Sequence, residues 1–144
     1  MTATSIKFDL DSTNYTARLA FEVLLNNTVV FATDHVAQPV TVEFIMPDDD
    51  GEHELKFVLK NKSPTHTAIN EHNNIISDAM LSIANMSMDD IKLGHLFFEQ
   101  THYYHDTNGD QLPADHKFFG DMGCNGYVSL KFSTPIYLWL LENM

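Results

Sequence analysis

The sequence predicts an all-β fold, a two-layer β-sandwich or jelly roll of about nine short strands with little helix. Apolar and polar residues alternate over short runs, as in residues 5–10, which is the pattern of a strand with one buried face. Asn, Asp, Gly and Pro residues, which favour turns, separate these runs at regular intervals. No stretch keeps a convincing helical period over the length of a long helix. These three observations together favour two packed sheets.

Strands dominate the N-terminal part of the chain. Asn26 and Asn27 lie between two apolar runs, and because asparagine tolerates a positive φ this pair predicts a tight hairpin. Residues 47–51, Pro-Asp-Asp-Asp-Gly, predict a second turn, which makes the strand after it the partner of the strand before it. The predicted strands are residues 5–10, 16–25, 28–32, 39–46 and 53–60.

The C-terminal part is harder to assign, and residues 78–93 decide most of it. Their apolar residues fit a helix or strands, but we predict two short strands or one bulged strand. The flanking hairpins need sheet partners, and Asn85 with Ser87 disfavours a helix. Residues 95–105 and 127–132 are predicted strands, and residues 106–115 form a loop between them. Residues 136–141 predict a last strand or one helical turn.

The length and charge of the chain limit what it can bind. Its 144 residues suit a single domain, residues 1–144, with one core. Eight Lys and Arg face twenty Asp and Glu, for a net charge of −12. Such an acidic surface repels phosphate backbones and anionic lipid, so we expect neither nucleic acid nor a membrane as a partner. Cations, neutral sugars and basic protein faces remain compatible with it.

Cysteine content and the terminal residues predict the compartment. Cys124 is the only cysteine, so the chain is not a disulfide scaffold, and an intracellular site of synthesis fits. The N-terminal residues contain no basic segment followed by an apolar run, which predicts that there is no signal peptide. No run reaches the roughly 18 apolar residues of a membrane span.

The best local motif for chemistry is a calcium-like loop. Asp106, Asn108 and Asp110 place carboxylate and amide oxygens at alternate positions, which is the ligand pattern that a hard cation prefers. The full EF-hand pattern is absent, since its sixth position is Gln111 and its twelfth is Lys117. With Asp115 as a further ligand on a different loop path, these residues predict a Ca²⁺ site; the alternative is a solvated turn.

Catalytic residues are not readable, and we predict that the protein is not an enzyme. His102 and His105 lie near Asp106, but an i, i+3 pair on a strand points to opposite faces. His116 could join them across the loop, which leaves a His/Asp-dependent hydrolase as a second alternative function. Cys124 has no histidine next to it in the sequence to lower its pKa and make it a nucleophile.

Aromatic residues crowd the last third of the chain and predict a contact surface. Three adjacent pairs, 97–98, 103–104 and 118–119, would each put one ring inward and one outward on a strand. Large exposed rings usually mark a binding surface, for a sugar or for another protein. The predicted aromatic binding surface consists of Phe98, Tyr103, Tyr104, Phe119, Tyr127 and Trp139.

Residues 24–93 resemble the calcium-dependent xylan-binding type of carbohydrate-binding module. The corresponding pieces are residues 40–45, 51–53, 57–61, 78–82 and 89–91. The resemblance implies a β-sandwich jelly roll and a carbohydrate ligand. Ala79 stands where the family has an arginine, and the family's calcium loop has no clear counterpart, so calcium and xylan specificity do not carry over from it.

Two segments of the C-terminal half are similar in sequence character to small structural proteins of tailed phages, notably those that infect marine cyanobacteria. These segments are residues 119–126 and 135–142. This resemblance implies a non-catalytic virion or decoration protein. Such a protein is made in the host cytoplasm and assembled as an oligomer, with other virion proteins or a cell-surface glycan as its partners. This is our first hypothesis, and a calcium-assisted carbohydrate-binding module is the alternative.

Overall fold

The computed structural model describes residues 3–15, 18–47, 51–60, 67–69, 75–78, 80–105, 114–118, 120–122 and 126–143. Within these ranges the chain is mostly β, as the alternation predicts, with thirteen strands and two short helices. The strands are β1 Ala3–Ser12, β2 Ala20–Leu25, β3 Thr28–Thr33, β4 Val40–Pro47, β5 Gly51–Lys60, β6 Thr67–Ile69, β7 Ile75–Asp78, β8 Leu81–Met88, β9 Ile91–Lys92, β10 Thr101–His105, β11 Ala114–Lys117, β12 Asp121–Met122 and β13 Gly126–Thr134. The helices are α1 His95–Glu99 and α2 Ile136–Asn143.

Two antiparallel sheets form the sandwich. Sheet A has the order β12-β8-β1-β4, with β9 also paired to β8, and sheet B has the order β11-β10-β13-β5-β2-β3. Strands β6 and β7 pair with each other in a small separate sheet. The predicted pairing of β4 with β5 is wrong, because β4 pairs with β1 whereas β5 lies between β13 and β2. A short connection here leads from one sheet to the other, and alternation within a strand does not specify its partner.

The core lies between the two sheets and is rich in phenylalanine. Phe8 on β1 of sheet A meets Phe57 on β5 of sheet B with ring centroids 5.3 Å apart. Phe57 also meets Phe97 of α1 at 6.0 Å. All three side chains are buried, so they join both sheets and the first helix in one hydrophobic cluster.

The hairpin between β2 and β3 confirms the Asn-Asn prediction. Asn26 and Asn27 have φ values of 50° and 70°, which is the left-handed region that asparagine tolerates. Asn26 also fixes the hairpin to the neighbouring strand. Its backbone N–H donates to the Glu54 carbonyl at 2.9 Å, and its side-chain Oδ1 accepts the Glu54 N–H at 2.9 Å.

Residues 81–88 and 91–92 form strands, as predicted for this part of the chain, while two other assignments change. Asp89 and Asp90, with φ of 52° and 64°, turn β8 into β9. The predicted strand at residues 95–105 is wrong for its first half, because Leu96 and Phe97 are buried by a single helical turn, α1, before β10 begins. Residues 136–143 adopt the helical alternative and extend it, with Ile136, Trp139 and Leu140 buried at helical spacing.

Candidate functional site

Sheet B has one core-facing side and one outer side, and the outer side carries the exposed rings. Leu55, Phe57 and Leu59 of β5 point inward, which sends Lys56 outward. Val128, Leu130 and Phe132 of β13 likewise point inward, which sends Tyr127, Ser129 and Lys131 outward. We call the group formed by Lys56, His102, Tyr104 and Tyr127 the outer aromatic face.

The register of β10 against β13 assembles the rings of this face. Tyr104 lies directly opposite Tyr127, and their ring centroids are 5.2 Å apart with an interplanar angle of 35°. His102, two residues earlier on β10, stacks on Tyr104 at 6.2 Å and 28°. Tyr104 is 38% exposed, so its ring is accessible to a ligand. The result is a short shelf of three aromatic rings across two central strands.

Polar groups border the rings. The Lys56 ammonium lies 5.0 Å from the centroid of the Tyr127 ring and donates to Asn27 Oδ1 at 3.3 Å. On the same side of the sheet, the Ser129 hydroxyl donates to Glu54 Oε2. Fixed rings with donors and acceptors beside them are able to bind a flat ligand that has apolar faces and polar edges.

A cleft of about 550 Å³ lies next to the outer aromatic face, and Glu54 and Lys131 are among the residues that line it. His53 also lines it, between two neutral partners. Because Asn26 Oδ1 already accepts from Glu54, the Asn26 amide nitrogen donates to His53 Nδ1 at 2.9 Å. The other ring nitrogen, His53 Nε2, lies 3.2 Å from Thr134 Oγ1, within hydrogen-bond distance.

A second polar cluster lies on sheet A. Asp9 accepts hydrogen bonds from Asn85 Nδ2 at 2.8 Å and from Thr41 Oγ1 at 3.0 Å. The bonds from Asn85 and Thr41 lower the pKa of the Asp9 carboxyl, because both stabilise its charged form. This cluster lines a separate cleft of about 420 Å³, and none of the described residues that line this cleft is aromatic.

The predicted aromatic surface is only partly exposed. Tyr104 and Tyr127 lie on the outer aromatic face, whereas Tyr103 and Trp139 are 7% and 6% exposed and pack in the core. The prediction that Tyr103 and Trp139 belong to a binding surface is therefore wrong. Alternate side chains on β10 point inward, which buries Tyr103, and Trp139 lies on the buried side of α2. Phe98 is half-buried and contacts Phe97 and Phe118. Phe119 lies outside the described residues.

The prediction that two adjacent aromatic residues point to opposite sides holds only where the pair lies on a strand. Tyr103 is buried and Tyr104 exposed, as alternation requires. Phe97 and Phe98 instead belong to helix α1, where both rings turn toward the core and contact each other at 5.6 Å. Because the prediction assumed a strand at this position, it placed Phe98 too far into solvent.

Most of the residues predicted to bind calcium are not among those that the structure describes. Asp106, Asn108 and Asp110 lie outside the described residues, and Asp115 is placed only by its backbone, opposite Tyr104 in the β10–β11 register. His102 lies opposite Lys117, whereas His116 lies opposite Tyr103. Across the described part of the chain, no group of three His, Cys, Asp or Glu could hold a metal ion.

Sequence reasoning missed Lys56 as a member of the site. Alternation along β5 places it on the outer side. Its position over Tyr127 depends on the pairing of β5 with β13, and these two strands are far apart in the chain.

Within the described residues, neither helix has the length and apolarity needed to cross a bilayer.

Comparison with known proteins identifies a fold. No family model and no curated protein matches the chain. Among solved structures, the carbohydrate-binding module vCBM60 in complex with galactobiose is similar, with a TM-score of 0.51 and 13% sequence identity over 88% of this chain and 96% of that one. A selenomethionine form of vCBM60, described in work on two families of calcium-dependent carbohydrate-binding modules, has a TM-score of 0.49 at 14% identity, over 88% and 89% of the two chains. The chain thus has a β-sandwich fold like that of this module.

Proposed function

We propose that this protein is a non-catalytic carbohydrate-binding domain, residues 1–144, that holds a glycan on its outer aromatic face. The observation that carries the proposal is the Tyr104–Tyr127 ring pair, 5.2 Å between centroids, on an accessible side of sheet B. The C–H face of a sugar ring packs against such rings, while its hydroxyl groups bond to the polar side chains around them.

The fold supports this proposal. The similar module vCBM60 was determined with galactobiose bound, so a sandwich of this shape can hold a sugar. The neighbouring cleft gives a longer glycan somewhere to continue, because Glu54 and Lys131 extend the outer side of sheet B toward it. Both strands that carry these residues, β5 and β13, are central in the sheet.

The experiment is a glycan-array screen followed by calorimetric titration of the best ligand. We expect Tyr104→Ala and Tyr127→Ala each to weaken binding by about fivefold, because each removes an aromatic contact worth about 1 kcal/mol. Tyr137→Ala is the matched control, since Tyr137 is an exposed tyrosine on α2, outside the face. A blank array, or equal losses from all three variants, would contradict the proposal.

Calcium assistance is a separate part of the proposal. The residues proposed to hold it, Asp106, Asn108, Asp110 and Asp115, have the oxygen donors that a hard cation prefers. In the sequence Asp106 directly follows His105, the last residue of β10, which is the strand that carries Tyr104. Titrations with excess CaCl₂ and with EDTA decide the point. Tighter binding with calcium supports the site, and equal affinity in both arms removes calcium while leaving glycan binding intact.

One observation favours a second candidate, the tailed-phage virion or decoration protein that assembles through protein contacts. Tyr137, Leu138 and Leu141 expose 57%, 48% and 72% of their area on α2, where large apolar side chains favour a partner. If α2 is a contact surface, light scattering should show an oligomer that the Leu138→Ser/Leu141→Ser double variant converts to a monomer. A wild-type chain that is monomeric at high concentration and has no affinity for phage capsid or tail components would contradict this candidate.

A further inference from the structure

The basic side chains of this acidic protein are unevenly distributed. Seven of the eight Lys and Arg lie within the described residues, and four of these seven point to the outer side of sheet B. The four are Lys56, Lys60, Lys117 and Lys131. Three glutamates with described side chains, Glu22, Glu52 and Glu54, share that side, and the backbone of Asp115 lies opposite Tyr104. A chain with net charge −12 therefore carries its scarce positive charge next to the aromatic rings.

The strand register arranges part of this charge in one line. Lys117 on β11 lies opposite His102 on β10, His102 lies opposite Ser129 on β13, and Ser129 lies opposite Lys56 on β5. We call this line across four strands the basic row. It contains two ammonium groups, an imidazole and a hydroxyl, and no carboxylate. Adjacent strands are about 4.8 Å apart, so the backbones of its two lysines are separated by about 14 Å.

The ring pair runs parallel to the basic row. Tyr104 and Tyr127 are opposite each other one step further along the same strands, two residues from His102 and Ser129. Glu22 forms an ion pair with Lys60 at 2.5 Å, so these two charges offset each other. Glu54 accepts the Ser129 hydroxyl and Lys56 donates to Asn27, and these neutral partners leave the charges of Glu54 and Lys56 in place.

We propose that the ligand of the outer aromatic face is an acidic glycan, one that carries carboxylate or sulfate groups along its chain. Tyr104 and Tyr127 pack against the sugar rings, and the ammonium groups of Lys56 and Lys117 bind the anionic substituents beside them. This inference rests on the proposed glycan-binding function and names its substrate class. The net charge of the chain alone favours a neutral sugar over an anionic one. That charge describes the average of the surface, however, and not this side of sheet B.

Salt dependence alone is a poor test of this inference. The overall negative charge opposes an anionic ligand at long range, while the basic row attracts it at contact distance. Both effects weaken with added salt, since the screening length is only about 8 Å at physiological ionic strength. Two variants with the same change in total charge separate the two effects. One removes lysines of the basic row and the other removes lysines elsewhere, so only the first should weaken the attraction at contact distance.

The test is a titration of the whole chain with matched oligosaccharides of galactose, glucose and mannose, each as the neutral, the uronate and the sulfated form. We expect at least one acidic form to bind about tenfold or more tightly than its neutral counterpart. The Lys56→Gln/Lys117→Gln double variant should lose most of this preference, so that its affinities for the acidic and the neutral form become about equal. The uronate and sulfate arms distinguish the two sources of negative charge.

The control is Lys7→Gln/Lys92→Gln, which removes the same charge from two exposed lysines on sheet A. Equal effects of the two double variants would mean that only total charge matters, and would overturn the basic row as the recognition element. Binding of neutral forms at equal or higher affinity than the acidic forms would overturn the acidic ligand and leave the proposed function standing. Failure of every form to bind would overturn both.

Discussion

Replacing Phe57 by alanine is expected to lower the free energy of unfolding by about 3–5 kcal/mol, the range measured for large aromatic truncations in cores. The Phe57 side chain is fully buried and packs edge-on against Phe8 at 5.3 Å and Phe97 at 6.0 Å. Its removal leaves a cavity where sheet A, sheet B and α1 meet, because close-packed neighbours relax only partly into the space. Urea denaturation followed by fluorescence measures the loss.

Val58→Ala is the matched control for this substitution. Val58 is the next residue of β5, but it points to the outer side of sheet B and is only half-buried. Its truncation should cost about 1 kcal/mol or less, because few contacts are lost and water can reach the site. Similar losses at positions 57 and 58 would mean that the two faces of β5 are not distinguished as the alternation requires, and would contradict the sandwich core.

The strands were predictable because one buried face leaves a period of two in the sequence. Ile6, Phe8 and Leu10 on β1 are buried at alternate positions, as are Val128 and Leu130 on β13. The hairpin at Asn26 and Asn27 was predictable for a different reason, since few residue types accept a positive φ. In both cases the signal is local: it depends on the backbone and on one side of one strand.

Strand partners were not predictable, because they depend on contacts between distant segments. Alternation shows that β4 and β5 each have a buried face, but it is equally satisfied whether they pair with each other or belong to different sheets. Helix α1 was missed for a related reason. A five-residue helix is too short to produce a helical period that differs clearly from a strand pattern.

The candidate site shows the same limit. The tyrosines were recognisable as residues that favour contact surfaces, but the sequence could not say which of Tyr103 and Tyr104 faces solvent. The register decides it, because Tyr104 shares its side of the sheet with Tyr127, and Tyr103 shares the core side with Val128. The basic row is even less visible in the sequence, since Lys56 and Lys117 become neighbours of the rings only through three strand pairings.

Trp139→Ala is expected to destabilise the protein by about 3–5 kcal/mol, a core effect rather than a loss of ligand contact. The Trp139 ring packs edge-on against Phe132 of β13 at 6.2 Å, and it is the largest side chain that α2 buries. Its truncation removes the main attachment of α2 to the end of sheet B. Urea denaturation of Trp139→Ala should therefore show a clear loss, whereas Tyr137→Ala on the exposed side of the same helix should change stability by less than about 1 kcal/mol.

The milder variant Trp139→Phe separates the two roles that the residue could have. Trp139 borders the cleft as well as the core, so a ligand in the cleft would touch its edge. If the ring serves the core, Trp139→Phe should cost about 1–2 kcal/mol of stability and leave the affinity of a glycan bound at Tyr104 and Tyr127 unchanged. A large loss of affinity with unchanged stability would contradict this assignment and would make Trp139 a ligand-contacting residue of the cleft.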